Sequence, residues 1–299
     1  MRAIVGTVPF EDFPLTVGKV SLSGQDLHIG GRTVPVNRGT PALLAATVRA
    51  LEVLGNGKVT GFLVGDIGLG KGSRRLYEML VRDLDGYDLE SLTFHYLQPD
   101  VDWHNRVLFA VEEMPRRPLL IADAGFMYAA KMSGSAAEYD LFTPDAGELA
   151  FLADEAAPHP FYTRGFILHD ENKIPDLIQR AYSHKNAARH LLVKGEIDRL
   201  ANRSGILESV DGPSVDAMEA MGGTGDTLTG LAAALIGSNG LSLTEATIAA
   251  AKINREAGAL ADLTPASQVA DLVRRLPQAM EKVLGAVSQR CGFPIEKTR

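Results

Sequence analysis

A glycine-rich turn at residues 222–226 ends in an acidic side chain and precedes a run of small residues. Glycines let the chain turn sharply and let a ligand approach the backbone. The small-residue run predicts a helix to about residue 236, and the first N–H groups of a helix carry partial positive charge. We predict an anion hole beside the base Asp226, built from Gly223, Thr224 and Gly225. In the alternative, Asp226 only caps the helix and the glycines serve packing.

A second glycine-rich segment at residues 65–70 lies between a predicted strand and a predicted helix and is followed by Lys71. The segment is close to a P-loop, which would bind phosphate. However, Gly72 occupies the position of the Mg²⁺-binding hydroxyl residue, and Ser73 stands one position late. An ordinary strand–helix turn therefore explains the pattern as well, although Lys71 could still contact a phosphate.

Two charged residues end predicted strands, Asp123 and Lys194, and each is a candidate site residue because ligands bind at strand ends in open parallel sheets. Lys194 could instead be a solvated charge. Glu148 is a candidate as well, or else an acid in the first turn of a helix begun by Thr143 and Pro144. The seven histidines are too scattered for a structural zinc site, and His104 is interpreted as a packing residue.

Strands alternate with helices along the chain, which predicts crossover connections and a mainly parallel sheet with helices on both faces. Short strands or a hairpin are expected within residues 16–36. The other predicted strands are 59–64, 92–97, 118–123, 139–142, 190–193 and 206–210. Helices are predicted at 40–54, 102–113, 143–153, 175–189 and 242–263. Three more have one predicted bound: one begins at about residue 73, one follows the turn 222–226 and ends at about residue 236, and one begins at residue 264. We expect one α/β domain over residues 1–299, with a variable segment at about 1–36.

The composition narrows the class of protein. The chain has 299 residues, a net charge of −7 and 45% hydrophobic residues. The acidic balance argues against nucleic acid or an anionic membrane as the main partner. One cysteine favours a reducing compartment, and no apolar run is long enough to span a membrane. We expect a cytoplasmic protein with a small-molecule substrate; a homo-oligomer stays open.

Five segments between residues 38 and 265 resemble, in order, the ribokinase-like NAD(P)H-hydrate dehydratases, a carbohydrate-kinase-like family. Residues 65–70 resemble that family's Gly-Pro-Gly-Leu-Gly element, and residues 142–148 resemble its Thr-Pro-His-x-Gly-Glu element. Residues 192–195 are similar to its Leu-Lys-Gly element. Residues 221–230 resemble its Gly-Thr-Gly-Asp-x-Leu-x-Gly element closely, and 244–263 resemble the helix that follows.

The resemblance implies a ribokinase-like three-layer sandwich and a reaction. Family members use ADP or ATP, with Mg²⁺ expected, to phosphorylate and then eliminate the hydroxyl of hydrated NADH or NADPH. By match, Asp226 would activate that hydroxyl, and the anion hole would stabilise the transferring phosphoryl group. The nucleotide would contact Lys194, Gly195, Gly225 and the rest of 194–198. The hydrated nicotinamide would face Gly68, Asp145 and Asp123.

The chain departs from the family pattern where substrate is expected. Asp145 replaces the family's histidine, and acidic residues replace the small ones at 196 and 198. The loop before the first helix is Asn37-Arg38-Gly39 instead of a Gly-Ser sequence. These changes indicate an altered substrate or lost activity. Two alternatives therefore stand beside the dehydratase: a sugar or alcohol kinase on the same fold, and a nucleotide-binding protein without turnover.

Overall fold

The computed structural model describes residues 1–55, 57–155 and 173–291, the last six without their side chains. Backbone contacts divide the chain into two compact units. The first comprises Met1–Ser21, His28–Val34 and Lys58–Ser209. The second comprises Leu22–Leu27, Pro35–Gly57 and Val210–Arg299.

Eleven strands in the described part of the chain form one sheet. They are β1 (Arg2–Val8), β2 (Thr16–Ser23), β3 (Asp26–Ile29), β4 (Arg32–Pro35), β5 (Val59–Gly65), β6 (Ser91–His95), β7 (Leu119–Ala122), β8 (Leu141–Phe142), β9 (His190–Val193), β10 (Asp198–Asn202) and β11 (Gly205–Val210). Their order is β11-β10-β9-β8-β7-β6-β1-β5-β2-β3-β4. Neighbours from β9 to β5 are parallel, whereas β10 and β2 pair antiparallel to β9 and β5.

Ten α-helices are described. They are α1 (Thr40–Leu54), α2 (Lys71–Asp83), α3 (Val101–Glu112), α4 (Gly125–Met132), α5 (Ala146–Ala153), α6 (Ile174–Ser183), α7 (Ala217–Ala220), α8 (Thr224–Leu235), α9 (Leu243–Leu260) and α10 (Val269–Cys291). Among the described residues, no helix is both long and apolar enough to cross a membrane.

The first unit contains the parallel strands and helices α2 to α6. Because parallel strands are covered on their faces, β5 is buried at every position. An aromatic cluster fills the core between strands and helices: the rings of Phe94 on β6 and Phe126 on α4 stack with centroids 4.0 Å apart. Phe142 and Tyr139 join this core fully buried.

The second unit is a helical layer in which α8 packs against α1 and α9, and α10 packs against α9 and α1. The approach of α8 to α1 requires Gly230, because a Cβ atom there would lie 2.2 Å from the carbonyl oxygen of Leu43. Thr47 on α1 donates a hydrogen bond to the Gly230 carbonyl at 3.0 Å. Small side chains thus set the helix spacing.

Several predicted elements differ from the structure. The prediction missed β1, although its buried run is apolar; this strand lies between β5 and β6, near the middle of the sheet. It also missed α4 and the hairpin strand β10. Residues 264–268 form a turn, and the last helix begins at Val269. The predicted helix 175–189 ends at Ser183.

Two helices are capped by residues other than those that the sequence predicted, and a third is capped as predicted. Gly39, with φ 69°, is the N-cap of α1, so Thr40 is its first residue. Asp145 caps α5 in place of Thr143 and Pro144, because its side chain accepts a hydrogen bond from the Glu148 N–H. The capping box at Ser242 and Glu245 is confirmed.

Candidate functional site

A buried ion pair joins two of the predicted site residues at the carboxyl ends of the two parallel strands that flank β8. Lys194 follows β9 and Asp123 follows β7, and the lysine Nζ lies 2.9 and 3.0 Å from the two carboxylate oxygens. The Asp123 side chain is 2% exposed and that of Lys194 is 13% exposed. Lys194 is therefore an organising cation of the site rather than a solvated surface charge.

His95, the last residue of β6, extends this row of polar strand ends and was missed from the sequence. Its Nε2 lies 3.8 Å from Oδ2 of Asp123, and its side chain is fully buried. The signal was present, because His95 directly ends the run Ser91-Leu92-Thr93-Phe94. The predicted strand continued to residue 97 and hid the strand end.

The backbone is strained directly after His95 and directly after Asp123. Tyr96 and Ala124 have φ angles of 51° and 53°, in the left-handed region that side chains other than glycine rarely adopt. Such strain persists where surrounding structure enforces it, and it clusters at functional sites. The Ala124 N–H donates to Asp123 at 2.8 Å, and the exposed Tyr96 ring lies edge-on to the His95 ring. The strain supports a site at these strand ends.

Asp145 and Glu148 add two carboxyl groups after β8. In the capping box, the Asp145 N–H donates to Glu148 at 2.9 Å, and the Glu148 N–H donates to Asp145 at 2.7 Å. Burial, then repulsion from Asp145, raises the pKa of Glu148 to about 8. Tyr128 donates its hydroxyl to the same carboxyl at 3.2 Å. Glu148 is thus a buried carboxyl that holds its proton more tightly than a free one, whereas Asp145 is exposed.

The segment 194–198 is a tight turn between β9 and β10. The Lys194 N–H donates to the Pro144 carbonyl at 2.8 Å, which ties the turn to the segment before α5. Asp198 is buried and accepts a hydrogen bond from the Gly195 N–H at 3.3 Å. The acidic residue at 198 therefore supports the turn, while Glu196 is exposed.

The loop 65–70 uses its own acid where a P-loop would hold phosphate. Oδ1 of Asp66 accepts hydrogen bonds from the N–H groups of Gly68, Leu69 and Gly70, each at 3.0 Å. Its Oδ2 accepts from the N–H and the hydroxyl of Ser73. Burial acts to raise the Asp66 pKa, but these hydrogen bonds outweigh it, so the pKa is lowered. The geometry argues against the P-loop interpretation, because the carboxylate already takes the cradle.

Gly68 lies exposed at the tip of this loop. Next to it, a cavity of 250 Å³ opens between the start of α2 and residues 98–100, which precede α3. Its polar lining includes Lys71, Arg74, Tyr77 and Asp100.

Within the first unit, the structure therefore brings together Asp123, Asp145, Lys194 and Gly195, whereas Gly68 belongs to a separate loop after β5.

The turn 222–226 has the local geometry that the sequence predicted. Gly223 is the N-cap of α8 with φ 104°, and Thr224 and Gly225 form its first turn. Asp226 is buried, and its Oδ2 accepts a hydrogen bond of 2.6 Å from the Gly39 N–H. Gly223, Thr224, Gly225 and Asp226 therefore lie together in the second unit.

A side chain from α9 fixes the first turn of α8. Asn254 donates to the Thr224 carbonyl at 3.0 Å and accepts from the Thr227 hydroxyl at 2.7 Å. This buried amide holds the end of α8 at the position where the anion hole is predicted.

The chain is similar to known proteins of one superfamily. A family model described as NAD(P)H-hydrate dehydratase, carbohydrate kinase type, matches residues 99–279. The match includes the segments around Asp145, Lys194 and Asp226 but not the loop 65–70. The chain is 38% identical over 243 residues to the uncharacterized protein MJ1337 of Methanocaldococcus jannaschii, covering 81% of this chain and 100% of that protein.

Solved structures show the same fold at low identity. The ADP/ATP-dependent NAD(P)H-hydrate dehydratase of Bacillus subtilis, co-crystallized with ATP/Mg²⁺ and soaked with CoA, has a TM-score of 0.54 and 14% identity, covering 94% of this chain and 92% of its own. Phosphofructokinase-2 of Escherichia coli in complex with fructose-6-phosphate has a TM-score of 0.52 and 16% identity, with 94% and 100% covered. The predicted ribokinase-like α/β fold is thereby confirmed.

Proposed function

Because the chain belongs to the carbohydrate-kinase family described as NAD(P)H-hydrate dehydratase, we propose that it uses ATP or ADP to remove water from hydrated NADH or NADPH. The membership itself gives the coarser class, a nucleotide-dependent enzyme of the ribokinase-like type. The observation that carries the proposed catalysis is the buried Asp226 in the first turn of α8, held by the Gly39 N–H at 2.6 Å.

Asp226 is the proposed general base. Its carboxylate takes the proton of the substrate hydroxyl while that oxygen attacks the terminal phosphorus of the nucleotide. The bond to the leaving ADP, or AMP when ADP is used, breaks with its electron pair. The N–H groups of Gly223, Thr224 and Gly225 stabilise the charge on the moving phosphoryl group. Elimination of the phosphate, with loss of a ring proton, then restores the double bond.

The remaining roles are proposed from the motifs that resemble those of the family, of which the loop 65–70 lies outside the family-model match. Lys194, Gly195 and Gly225 contact the nucleotide, and Gly68, Asp123 and Asp145 contact the substrate. The ion pair between Lys194 and Asp123 supports this proposal, because it fixes a charged group at a strand end where ligands of parallel sheets bind.

The carboxylates after β7 and β8 fit the expected Mg²⁺. This cation is usually held by one or two carboxylates together with substrate phosphates and water. Asp145 is the exposed carboxylate of the group, and one of its oxygens caps α5. We propose that Asp145 would hold Mg²⁺ in addition to facing the substrate; the cation would neutralise phosphate charge. This role would explain why an acid stands at position 145, where its negative charge would repel phosphates if no cation were bound.

The decisive experiment follows NADH recovery from hydrated NADH with ATP or ADP and Mg²⁺. We expect Asp226→Asn to lower kcat at least about 100-fold, since a positioned base contributes that much or more. Asp262→Asn is the matched control, because it makes the same change at an exposed position. Absence of nucleotide-dependent recovery by the wild-type protein would contradict the proposal.

A sugar or alcohol kinase is the second candidate, favoured by Asp145 in place of the family's histidine. It uses the same base and anion hole, so phosphorylated alcohol accumulates without NADH recovery. A nucleotide-binding protein without turnover is the third candidate, and it predicts calorimetric binding of ATP with neither product. We also propose a cytoplasmic location, which the single cysteine supports.

A further inference from the structure

The loop 37–39 lies directly on the turn that carries the proposed base. The Gly39 N–H donates to Asp226 at 2.6 Å. The residue before it, Arg38, contacts the first two glycines of the turn: a Cβ atom on Gly222 would lie 3.3 Å from Cδ of Arg38, and one on Gly223 would lie 3.3 Å from its Cα. Arg38 therefore runs along the backbone of the turn within the second unit.

The glycines make this approach possible. Both distances are shorter than ordinary contacts of a real Cβ atom, so a larger residue at Gly222 or Gly223 would press on Arg38. The two glycines thus leave room for a long side chain as well as for a ligand. Cδ is the carbon that bears the guanidinium group, so the charge lies close to Gly222.

The Arg38 side chain is exposed, and no residue that the structure describes gives its guanidinium a hydrogen bond or ion pair. Arg49 of this unit is instead ion-paired with Glu52 at 2.7 Å, whereas Arg275 on α10 is exposed like Arg38. The guanidinium branches from a carbon beside Gly222, which precedes the N-cap of α8, so Arg38 is placed to meet an anion at the turn.

We propose that Arg38 is a further catalytic residue, which contacts the transferring phosphoryl group at the anion hole of Gly223, Thr224 and Gly225. This inference rests on the proposed function. Arg38 forms and breaks no covalent bond. Its planar donors bind two phosphoryl oxygens while Asp226 takes the hydroxyl proton, and they neutralise charge that grows in the transition state.

The test measures steady-state kinetics of Arg38→Ala and Arg38→Lys beside Arg275→Ala, the control at an exposed arginine of α10. We expect Arg38→Ala to lower kcat by about 100-fold or more, with less than about a threefold change in the nucleotide KM. Arg38→Lys should recover part of the rate, since it keeps the charge and loses the fork. Arg275→Ala should match the wild type.

Two further readouts separate catalysis from folding. Thermal unfolding of Arg38→Ala should match the wild type, because the residue is exposed. Added guanidinium ion at millimolar concentration should restore part of the Arg38→Ala rate and leave the other proteins unchanged. A kcat for Arg38→Ala within twofold of the wild type overturns the inference, even when Asp226→Asn is inactive.

The inference can be judged even if the wild-type protein shows no turnover. Calorimetry with tripolyphosphate, which mimics the phosphate chain of ATP, should then show binding that weakens about tenfold in Arg38→Ala and is unchanged in Arg275→Ala. Equal affinity of all three proteins overturns the inference. Wild-type inactivity contradicts the proposed function alone, so the two failures are distinguishable.

Discussion

Nζ of Lys194 lies 2.9 Å from Oδ1 and 3.0 Å from Oδ2 of Asp123, so one ammonium group bridges both oxygens of a buried carboxylate. Removing the lysine leaves an uncompensated charge. We expect Lys194→Met to lower the free energy of unfolding by about 3–5 kcal/mol, measured by urea denaturation. The double variant with Asp123→Asn should be more stable than Lys194→Met alone. If the double variant lost as much free energy of unfolding as the two single variants together, the pair would not act as a unit.

The buried His104 predicts acid sensitivity of the fold. Its Nε2 lies 2.8 Å from the Tyr139 hydroxyl, and burial lowers its pKa to about 4 from 6.5. Between these values the unfolded chain binds the proton that the folded protein excludes, so stability falls as the pH drops from 6.5 to 4. The loss approaches about 3 kcal/mol, at 1.36 kcal/mol per pKa unit.

Chemical denaturation at a series of pH values checks this expectation, with His104→Gln as the comparison. The variant lacks the titrating ring, so its stability should decline less over the same interval. Parallel pH profiles for the two proteins would assign the acid sensitivity to other groups.

Gly230 predicts a steric limit on the packing of α8 against α1. Alanine there places Cβ 2.2 Å from the backbone carbonyl of Leu43, which cannot move without α1. We expect Gly230→Ala to cost about 3 kcal/mol, the upper end for overpacking. Gly258→Ala is the control within a helix: its Cβ meets the flexible side chain of Met218 at 2.2 Å and should cost less. The urea midpoints of the two variants measure their stability. Equal losses of stability would contradict the claim that a clash with backbone costs more than a clash with a flexible side chain.

Local sequence signals were sufficient for part of the fold and part of the site. The glycine-rich turn before α8 and the capping box of α9 depend on neighbouring residues, and both are present in the structure. The family and the ribokinase-like fold also followed from such motifs. The single-domain expectation and the catalytic assignments stay predictions.

The rest depends on residues far apart in the chain. Asp66 blocks the apparent P-loop because its side chain folds back onto the loop N–H groups, which a glycine spacing cannot reveal. Arg38 and Gly39 meet residues 222–226 only through the packing of α1 on α8. His95 can be recognised as a candidate site residue only because it lies close to Asp123, which follows the neighbouring strand β7.

The position of β1 has a consequence for the order of events during synthesis. This strand is made before both of its partners, residues 59–65 and 91–95. One edge of β1 therefore stays unpaired until residue 65 has been made, and the other until residue 95. Strand pairing over such separations is slow, and a waiting apolar strand is open to wrong partners. The middle of the sheet thus depends on three segments that are distant in the chain, while the edge strand β11 is made later still.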